Sequence, residues 1–135
     1  MNLNKNKILI LGSSGFFGFN FCKKLKESKI KFSSLKKEQC NLLNYEESYK
    51  VIKKINPSII FNFAGKVGGI DYNINKPAEI IFNNGKITLN LFEISSKLKI
   101  KKLINIGSSC SYPDSNQSTL NEKNLFTGQL NPTVE

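Results

Sequence analysis

The sequence predicts an α/β fold, in which helices cover both faces of a doubly wound parallel sheet. Three short apolar runs that end in small residues are typical of buried strands, and they cover Lys7–Gly12, Ser58–Ala64 and Lys102–Gly107. Segments with helical spacing of apolar residues alternate with these runs, and such alternation produces right-handed βαβ crossovers. The length of 135 residues is enough for one domain of this kind.

Helices are predicted where apolar residues recur at steps of three and four. The segments with this spacing are Phe16–Ser28, Tyr45–Ile55 and the one that begins at Pro77. The first is expected to bury Phe17, Phe21 and Leu25, with lysines on its opposite side. The last has the longest row, formed by Ile80, Asn84, Ile87, Leu91, Ile94 and Leu98.

Two weaker strands are predicted at Ile30–Leu35 and Cys40–Leu43, whereas the polar segment after Gly107 has no clear period. In parallel sheets, ligands bind beside the carboxyl ends of the strands. The site is therefore expected at the carboxyl ends of the strands, which are Gly12, Leu35, Ala64–Gly65 and Gly107–Ser109.

Composition narrows the classes of function. The net charge is +10, and all the positively charged side chains are lysines. Because these lysines are scattered or paired, nucleic-acid binding is not expected. The cysteines Cys22, Cys40 and Cys110 lack C-x-x-C spacing and the chain has no histidine, which argues against a disulfide framework and a metal site. No run is long enough for a membrane span and no cleavable signal is evident, so a cytoplasmic protein is expected.

The strongest motif in the residues themselves is Gly12–Gly18 (GSSGFFG), between the first strand and the first helix. Gly12 permits a tight turn, Gly15 lets backbone approach a pyrophosphate at the helix N-terminus, and Gly18 lets the helix pack closely on the sheet. The strand–turn–helix context favours a Rossmann-like dinucleotide-binding turn over an incidental glycine-rich turn.

The end of the second strand indicates which dinucleotide binds. A carboxylate there favours NAD, whereas cations favour the 2′-phosphate of NADP. The residues at this point are Ser33, Ser34, Lys36, Lys37 and then Glu38. The lysine pair indicates NADP, although paired lysines are frequent in so lysine-rich a chain.

Two further loops leave alternatives open. Lys66–Ile70 has two glycines after a buried strand, which would let backbone approach a ligand but equally fit a plain loop. Gly107–Pro113 offers hydroxyls for a substrate carbonyl and, in Cys110, a thiol for proton transfer. On composition alone, a serine-rich turn beside a small buried thiol is the simpler interpretation.

These motifs resemble the GDP-L-fucose synthases, which are extended short-chain dehydrogenase/reductases. The residues that carry the resemblance are the glycine turn, K-V-G-G-I at Lys66–Ile70, and G-S-S-C-x-Y-P at Gly107–Pro113. The similarity continues through Glu122, Gly128 and Asn131–Thr133 and so covers almost the whole chain. The two later motifs are far more specific than the glycine turn.

The resemblance implies an NADPH-dependent enzyme that epimerises C3 and C5 of GDP-4-keto-6-deoxy-D-mannose and then reduces C4 to give GDP-L-fucose. It implies that Ser108 donates to the C4 oxygen and that Cys110 is an acid/base of the epimerisation. It also implies that Lys37 lies near the 2′-phosphate, that Asn84 lies near the nicotinamide, and that the full-length enzyme is a homodimer. The expected cofactor-binding residues are Gly12, Ser13, Ser14, Gly15, Phe16, Phe17, Gly18, Lys36, Lys37, Asn41, Leu42, Ala64, Gly65, Lys66, Asn84 and Gly107.

Other parts of the family pattern are missing from these 135 residues. The family's Tyr-x-x-x-Lys pair would follow Asn131–Thr133, and a histidine acid/base and the substrate domain are absent too. Tyr49–Lys53 and Tyr72–Lys76 match the spacing but precede Ser108, so we interpret them as coincidences. Residues 1–135 are expected to form an incomplete, C-terminally truncated NAD(P)-binding Rossmann domain, inactive and marginally stable alone.

Three hypotheses remain. The first is a fragment of a GDP-L-fucose synthase-like epimerase/reductase, or of another NAD(P)-dependent nucleotide-sugar epimerase/dehydratase. The second is a non-catalytic dinucleotide-binding module. The third, a basic protein that binds anions or nucleic acid, rests on net charge alone.

Overall fold

Four short parallel strands form one sheet in the part of the chain that the computed structural model describes, residues 6–113, 119–125 and 127–129. The strands are β1 (Ile8–Leu11), β2 (Phe32–Leu35), β3 (Ile59–Asn62) and β4 (Lys102–Asn105). The helices are α1 (Phe16–Glu27), α2 (Tyr45–Ile55), α3 (Ile70–Asn75) and α4 (Pro77–Lys97). Short 3-10 helices lie at Lys37–Gln39, Ser109–Ser111 and Glu122–Asn124.

The strand order is β2-β1-β3-β4, so the chain adds β2 on one side of β1 and then β3 on the other. Leu11 at the end of β1 pairs with Leu35 of β2 and with Asn62 of β3, which brings three carboxyl ends to one edge of the sheet. In sheets of this type, ligands bind where the strand order reverses. The predicted doubly wound parallel sheet is confirmed.

Helices α2 and α4 cover one face of the sheet. The buried residues of this face come from strands and helices together: Leu9, Leu11, Ile52, Ile60, Leu91 and Ile94. Each fully buried aliphatic side chain of this size stabilises the fold by about 1.5–3 kcal/mol. The predicted row of α4 packs on this face from Ile87 to Leu98, which explains why its spacing was so regular.

Helix α1 covers the other face. Ile8 and Ile10 of β1 pack there against Cys22 and Leu25. Phe21 extends this layer over β3, where its ring centre lies 4.7 Å from that of Phe61 and 5.2 Å from that of Phe63. Helices on both faces bury β1 completely, as expected for a central parallel strand.

The prediction that Phe17 is buried is wrong, because its side chain is 67% exposed. Gly18 takes the inward position instead, and the buried residues of α1 are Gly18, Cys22 and Leu25. A residue without a side chain at this level brings the start of α1 close to the turn after β1. That close approach rotates the phenylalanine at position 17 towards the surface.

The predicted strand at Cys40–Leu43 is also wrong, because this segment forms turns. The Asn44 N–H donates to the Asn41 carbonyl (2.9 Å), and the Asn41 N–H donates to the Glu47 carboxylate (2.9 Å). Backbone groups that are bonded to the start of α2 in this way cannot also pair with a strand.

Helix α3 was not predicted. It follows the loop Lys66–Gly69, and a Cβ at Gly68 would collide with the ring of Tyr72, so this glycine lets the helix fold back on the loop. The six residues of α3 are too few to show a helical period.

One side of α4 carries apolar residues that the described part of the chain leaves exposed, here called the outer row of α4: Ile81, Phe82, Leu89 and Phe92. Although α4 has 21 residues, neither it nor any other described helix is long and apolar enough to cross a membrane.

Asn44 begins α2 with its side chain, whose Oδ1 accepts a hydrogen bond from the Glu47 N–H (3.1 Å). Because this bond satisfies an amide that has no partner within the helix, we expect Asn44→Ala to lower the free energy of unfolding by about 1 kcal/mol. Asn44→Ser keeps an acceptor and should stay within about 0.5 kcal/mol of the natural chain. Urea denaturation followed by circular dichroism measures both, and equal losses in the two variants would contradict this role.

Candidate dinucleotide-binding site

A cleft of about 310 Å³ opens at the edge of the sheet where β1, β2 and β3 end. Its walls are the turn between β1 and α1, the segment after β2, and the turn after β3. Ten residues predicted to bind a cofactor line it: Gly12, Ser14, Gly15, Lys36, Lys37, Asn41, Leu42, Ala64, Gly65 and Lys66. The fold thus brings together three turns that are far apart in the sequence.

The turn between β1 and α1 depends on backbone contacts that side chains would prevent. Gly12 has a φ of 73°, and a Cβ placed on it would lie 2.5 Å from the backbone nitrogen of Ala64. A Cβ on Gly18 would collide with the carbonyl oxygen of Gly12. The fold itself therefore requires these two glycines.

Gly15 has a different role. A Cβ on it would lie at an ordinary 3.5 Å from the Gly12 carbonyl oxygen, its one close contact in the described chain beyond the adjacent residues. Gly15 immediately precedes α1, offers no side chain to the amides of the first turn, and is followed by no acidic residue in that turn. The open space and the positive end of the helix dipole suit an anionic group.

The segment after β2 adds positive charge to the cleft. Lys36 and Lys37 line it with exposed side chains. The turn that carries them is held by a hydrogen bond from the Lys36 N–H to Gln39 Oε1 (2.9 Å). Ser13 Oγ donates to the Leu35 carbonyl (3.5 Å), so this wall is joined to the glycine turn although Ser13 itself does not line the cleft.

Asn41 and Leu42 are held in the wall of the cleft by α2 and α4. The Leu42 carbonyl accepts a hydrogen bond from Asn90 Nδ2 (2.9 Å), and the Asn41 carbonyl accepts one from Ser48 Oγ (3.2 Å). Cys40 beside them is buried, and burial raises the pKa of its thiol. This thiol is therefore neutral near pH 7 and serves as a small packing group.

Asn84 of α4 holds the turn after β3. Its Oδ1 accepts from the Lys66 N–H (2.6 Å) and its Nδ2 donates to the Lys66 carbonyl (2.8 Å). Asn84 does not line the cleft, but Lys66 does. The asparagine predicted to lie near the nicotinamide thus acts in this structure by fixing the backbone that forms the wall.

The Lys66 side chain points to α3 and α4. Its Nζ lies 3.0 Å from Glu79 Oε1 and 5.9 Å from the centre of the Tyr72 ring. The hydrogen bond from Lys66 lowers the pKa of the Glu79 carboxyl, and the same bond raises the pKa of Lys66. Water screens this exposed pair, so it adds little stability, but it directs the ammonium group to Glu79.

Several predicted residues do not line the cleft within the described part of the chain. Phe16 and Phe17 are mostly exposed and contact each other edge to face, with ring centres 5.5 Å apart. Gly107 and Ser108 follow β4, one strand beyond β3. The side chain of Cys110 lies outside the described residues, so its acid/base role stays a prediction.

Leu35, expected at the site as the end of the second strand, lines the cleft. Sequence reasoning missed six other residues that line it: Leu11, Cys40, Leu43, Phe63, Asn83 and Ile87. Most are apolar, and an apolar residue in a strand or helix is ordinarily assigned to the core. Leu11 carried a usable signal, because it is the last residue of β1 at the predicted edge. Phe63 follows β3 in the same way.

The arrangement suits a ligand that combines an anionic group with a flat apolar part. The start of α1, with Lys36 and Lys37, attracts negative charge, while Leu35, Leu42 and Ile87 offer an apolar wall. Among the described residues, no group of three or more His, Cys, Asp or Glu side chains could hold a metal ion.

Comparison with known proteins finds relatives over nearly the whole chain. The NAD dependent epimerase/dehydratase family matches residues 8–135. GDP-L-colitose synthase of Yersinia pseudotuberculosis is 35% identical over 129 residues, which are 96% of this chain and 42% of that protein. GDP-L-fucose synthase of Sinorhizobium fredii is 32% identical over 133 residues, which are 98% of this chain and 42% of that protein.

A solved structure is similar over the same span. A GDP-D-glycero-L-gluco-heptose synthase from Campylobacter jejuni, determined in the presence of NADPH, is 28% identical and superposes with a TM-score of 0.87. The match covers 98% of this chain and 39% of that one. This chain therefore spans about two fifths of the length of the relatives it matches.

Because Asn84 bonds both backbone groups of Lys66, we expect Asn84→Ala to speed hydrogen–deuterium exchange of the Lys66 amide by about tenfold. Asn84→Asp keeps the acceptor for that amide and is the matched control, in which protection should persist. The amide of the buried Ile60 serves as an internal reference for global opening. Unchanged Lys66 exchange in Asn84→Ala would show that the Asn84 side chain does not hold the Lys66 backbone.

Proposed function

Because this chain belongs to the NAD dependent epimerase/dehydratase family, we propose that it is the cofactor-binding part of an NADPH-dependent epimerase/reductase of GDP-sugars. The substrate proposed is GDP-4-keto-6-deoxy-D-mannose and the product is GDP-L-fucose. Relatives named GDP-L-colitose synthase and GDP-L-fucose synthase support a GDP-sugar as the substrate class.

The glycine turn at the reversal of strand order is the observation that carries this proposal. Gly15 leaves room beside the first amides of α1, which would hold the pyrophosphate of the dinucleotide. The wall that contains Lys36, Lys37, Asn41 and Leu42 would hold the adenosine part. The two lysines favour NADPH over NADH, because a 2′-phosphate there would meet cations.

The chemistry proposed for the whole enzyme uses one carbonyl twice. NADPH supplies the hydride when it is bound. Ser108 would donate a hydrogen bond to the C4 oxygen, and this donor favours both proton removal from the neighbouring carbons and hydride addition, since each step places negative charge on that oxygen. Cys110 would exchange protons at a neighbouring carbon as a general acid/base.

Two other functions remain as alternatives. The relatives carry the names of different GDP-sugars, so another nucleotide-sugar epimerase, dehydratase or reductase of this family is the second candidate. A non-catalytic dinucleotide-binding module is the third. An in-frame continuation that encodes Tyr-x-x-x-Lys would support the enzyme, whereas a stop codon after position 135 would support the module.

Assembly and location stay predictions for the full-length protein. The homodimer and the cytoplasmic location expected from the sequence rest on the resemblance and on composition. The outer row of α4 is an exposed apolar surface of the kind that forms contacts between copies, and this is its one contribution to the homodimer prediction.

We expect a polypeptide of these 135 residues to bind NADPH without turning over the keto sugar. After Ser108 it contains no Tyr-x-x-x-Lys, and Tyr49 and Lys53 of the upstream string lie on α2, where Lys53 Nζ stacks 5.6 Å from the Tyr49 ring centre. Absorbance at the NADPH band in the presence of the sugar measures turnover. Sustained NADPH oxidation would contradict this expectation.

Serine substitutions separate the glycine required by the fold from the one proposed to admit the cofactor. Gly18→Ser should lower the free energy of unfolding by about 1–3 kcal/mol, because its Cβ meets the Gly12 carbonyl. Gly15→Ser should keep stability, since serine caps helices well, yet weaken NADPH binding by about tenfold or more by filling the open space. Thermal melting measures stability and fluorescence titration measures NADPH affinity. Unchanged NADPH affinity in Gly15→Ser would contradict the proposed site.

Lys37→Ala tests the cofactor preference. Loss of a charge-assisted bond to the 2′-phosphate should weaken NADPH by about tenfold and leave NADH unaffected. Lys23→Ala removes an exposed charge on α1 that does not line the cleft and is the matched control. Equal losses of affinity for NADPH and NADH in Lys37→Ala would show that this lysine does not bind the 2′-phosphate.

A further inference from the structure

Asn62 places a buried polar side chain at the carboxyl end of β3. It is the last residue of β3 and is 4% exposed, next to the buried Ile59 and Ile60 of the same strand. A buried amide is costly unless its donor and its acceptor both find partners.

Both groups of the amide are hydrogen-bonded. Its Oδ1 accepts from the backbone N–H of Ala64 (3.1 Å), and its Nδ2 donates to Oδ1 of Asn105 (2.6 Å). Asn105 is the residue opposite Asn62 in the register of β3 and β4. The next backbone bond, from the Ile106 N–H to the Asn62 carbonyl, is a long 3.4 Å, so the side-chain bond joins the strands where their ladder weakens.

The ends of this chain of hydrogen bonds reach the two turns that matter for the proposed function. Ala64 lines the cleft, and its backbone nitrogen lies so close to Gly12 that a side chain on Gly12 would collide with it. Asn105 is the last residue of β4 and directly precedes the segment that carries Ser108. Asn62 thus stands between the cofactor cleft and the residue proposed to hold the substrate carbonyl.

We propose that Asn62 is a positioning residue that, through Ala64 and Asn105, keeps the cofactor cleft and the Ser108 turn at a fixed separation. This inference rests on the proposed function, which places the hydride donor in the cleft and the acceptor carbonyl at Ser108. Hydride transfer requires the reacting atoms to be held in close register. An amide pair supplies that rigidity without adding a formal charge beside the reacting groups.

Variants at Asn105 test the proposal, because its side chain is exposed and lies outside the cleft. Asn105→Leu removes the acceptor for Asn62 Nδ2, whereas Asn105→Asp keeps it. We expect Asn105→Leu to weaken NADPH binding by a factor on the order of three to ten, and Asn105→Asp to bind like the natural chain. A purely structural pair would lower the Tm of Asn105→Leu and leave its NADPH Kd unchanged, and that result would overturn the proposal.

Hydrogen–deuterium exchange at the Ala64 amide adds a measurement that needs no cofactor. Exchange at Ala64 should be faster in Asn105→Leu and unchanged in Asn105→Asp, with the buried Ile10 amide as the reference. If the natural chain shows no saturable NADPH binding, the proposed function fails. Hydrogen–deuterium exchange at Ala64 then still tests whether the Asn62–Asn105 bond holds the Ala64 amide. Faster exchange at Ala64 would show that the Asn105 bond holds the Ala64 amide through Asn62, and unchanged exchange would overturn the proposal.

Discussion

The site depends on one contact between bare backbone segments, that of Gly12 with the Phe63–Ala64 peptide. The turn after β1, the end of β3 and the first turn of α1 meet here so closely that Cβ atoms on Gly12 and Gly18 would collide with main-chain atoms. Side chains at these positions would push α1 away from the sheet edge. The helix N-terminus would then no longer face the point where the strand order reverses, which is where an anion could use it.

Asparagine side chains hold several of the backbone groups around that contact. Loops at the edge of a sheet have backbone groups without partners in regular structure, and a side-chain amide can satisfy both an N–H and a C=O. Asn84 does so for Lys66, Asn90 holds the carbonyl of Leu42, and Asn62 holds the amide of Ala64. Asn62, Asn84 and Asn90 thus each fix the backbone of a residue that lines the cleft.

The sequence predicted elements wherever a local signal was complete. Helix α2 was predicted to the residue, since Tyr45, Tyr49 and Ile52 recur at helical spacing ahead of Pro57. The three apolar runs became β1, β3 and β4. Burial explains the continuous hydrophobic pattern of β1 and β3, whereas Lys102 and Asn105 of β4 are exposed. The strand predicted at Cys40–Leu43 was wrong because the leucines of this segment lie in a turn that is hydrogen-bonded to α2. Helix α3 was too short for a period to show.

The three walls of the cleft could be predicted from strand ends and glycine spacing, but their supports could not. The Asn62–Asn105 bond joins residues 43 positions apart, and the bonds between Asn84 and Lys66 span 18. Such pairs leave no local pattern, since they exist only once β3, α4 and β4 are in register. The roles of Ser108 and Cys110 rest on resemblance, because Ser108 does not line the described cleft and the side chain of Cys110 lies outside the described residues.

The outer row of α4 has a consequence for the behaviour of concentrated solutions. Four large apolar side chains face water on a molecule whose net charge is +10, so electrostatic repulsion between copies opposes their contact. Added salt shortens the reach of that repulsion from about 10 Å at 0.1 M to about 3 Å at 1 M. Colloidal stability of this chain is thus greatest in dilute electrolyte, and high-salt buffers favour its self-association.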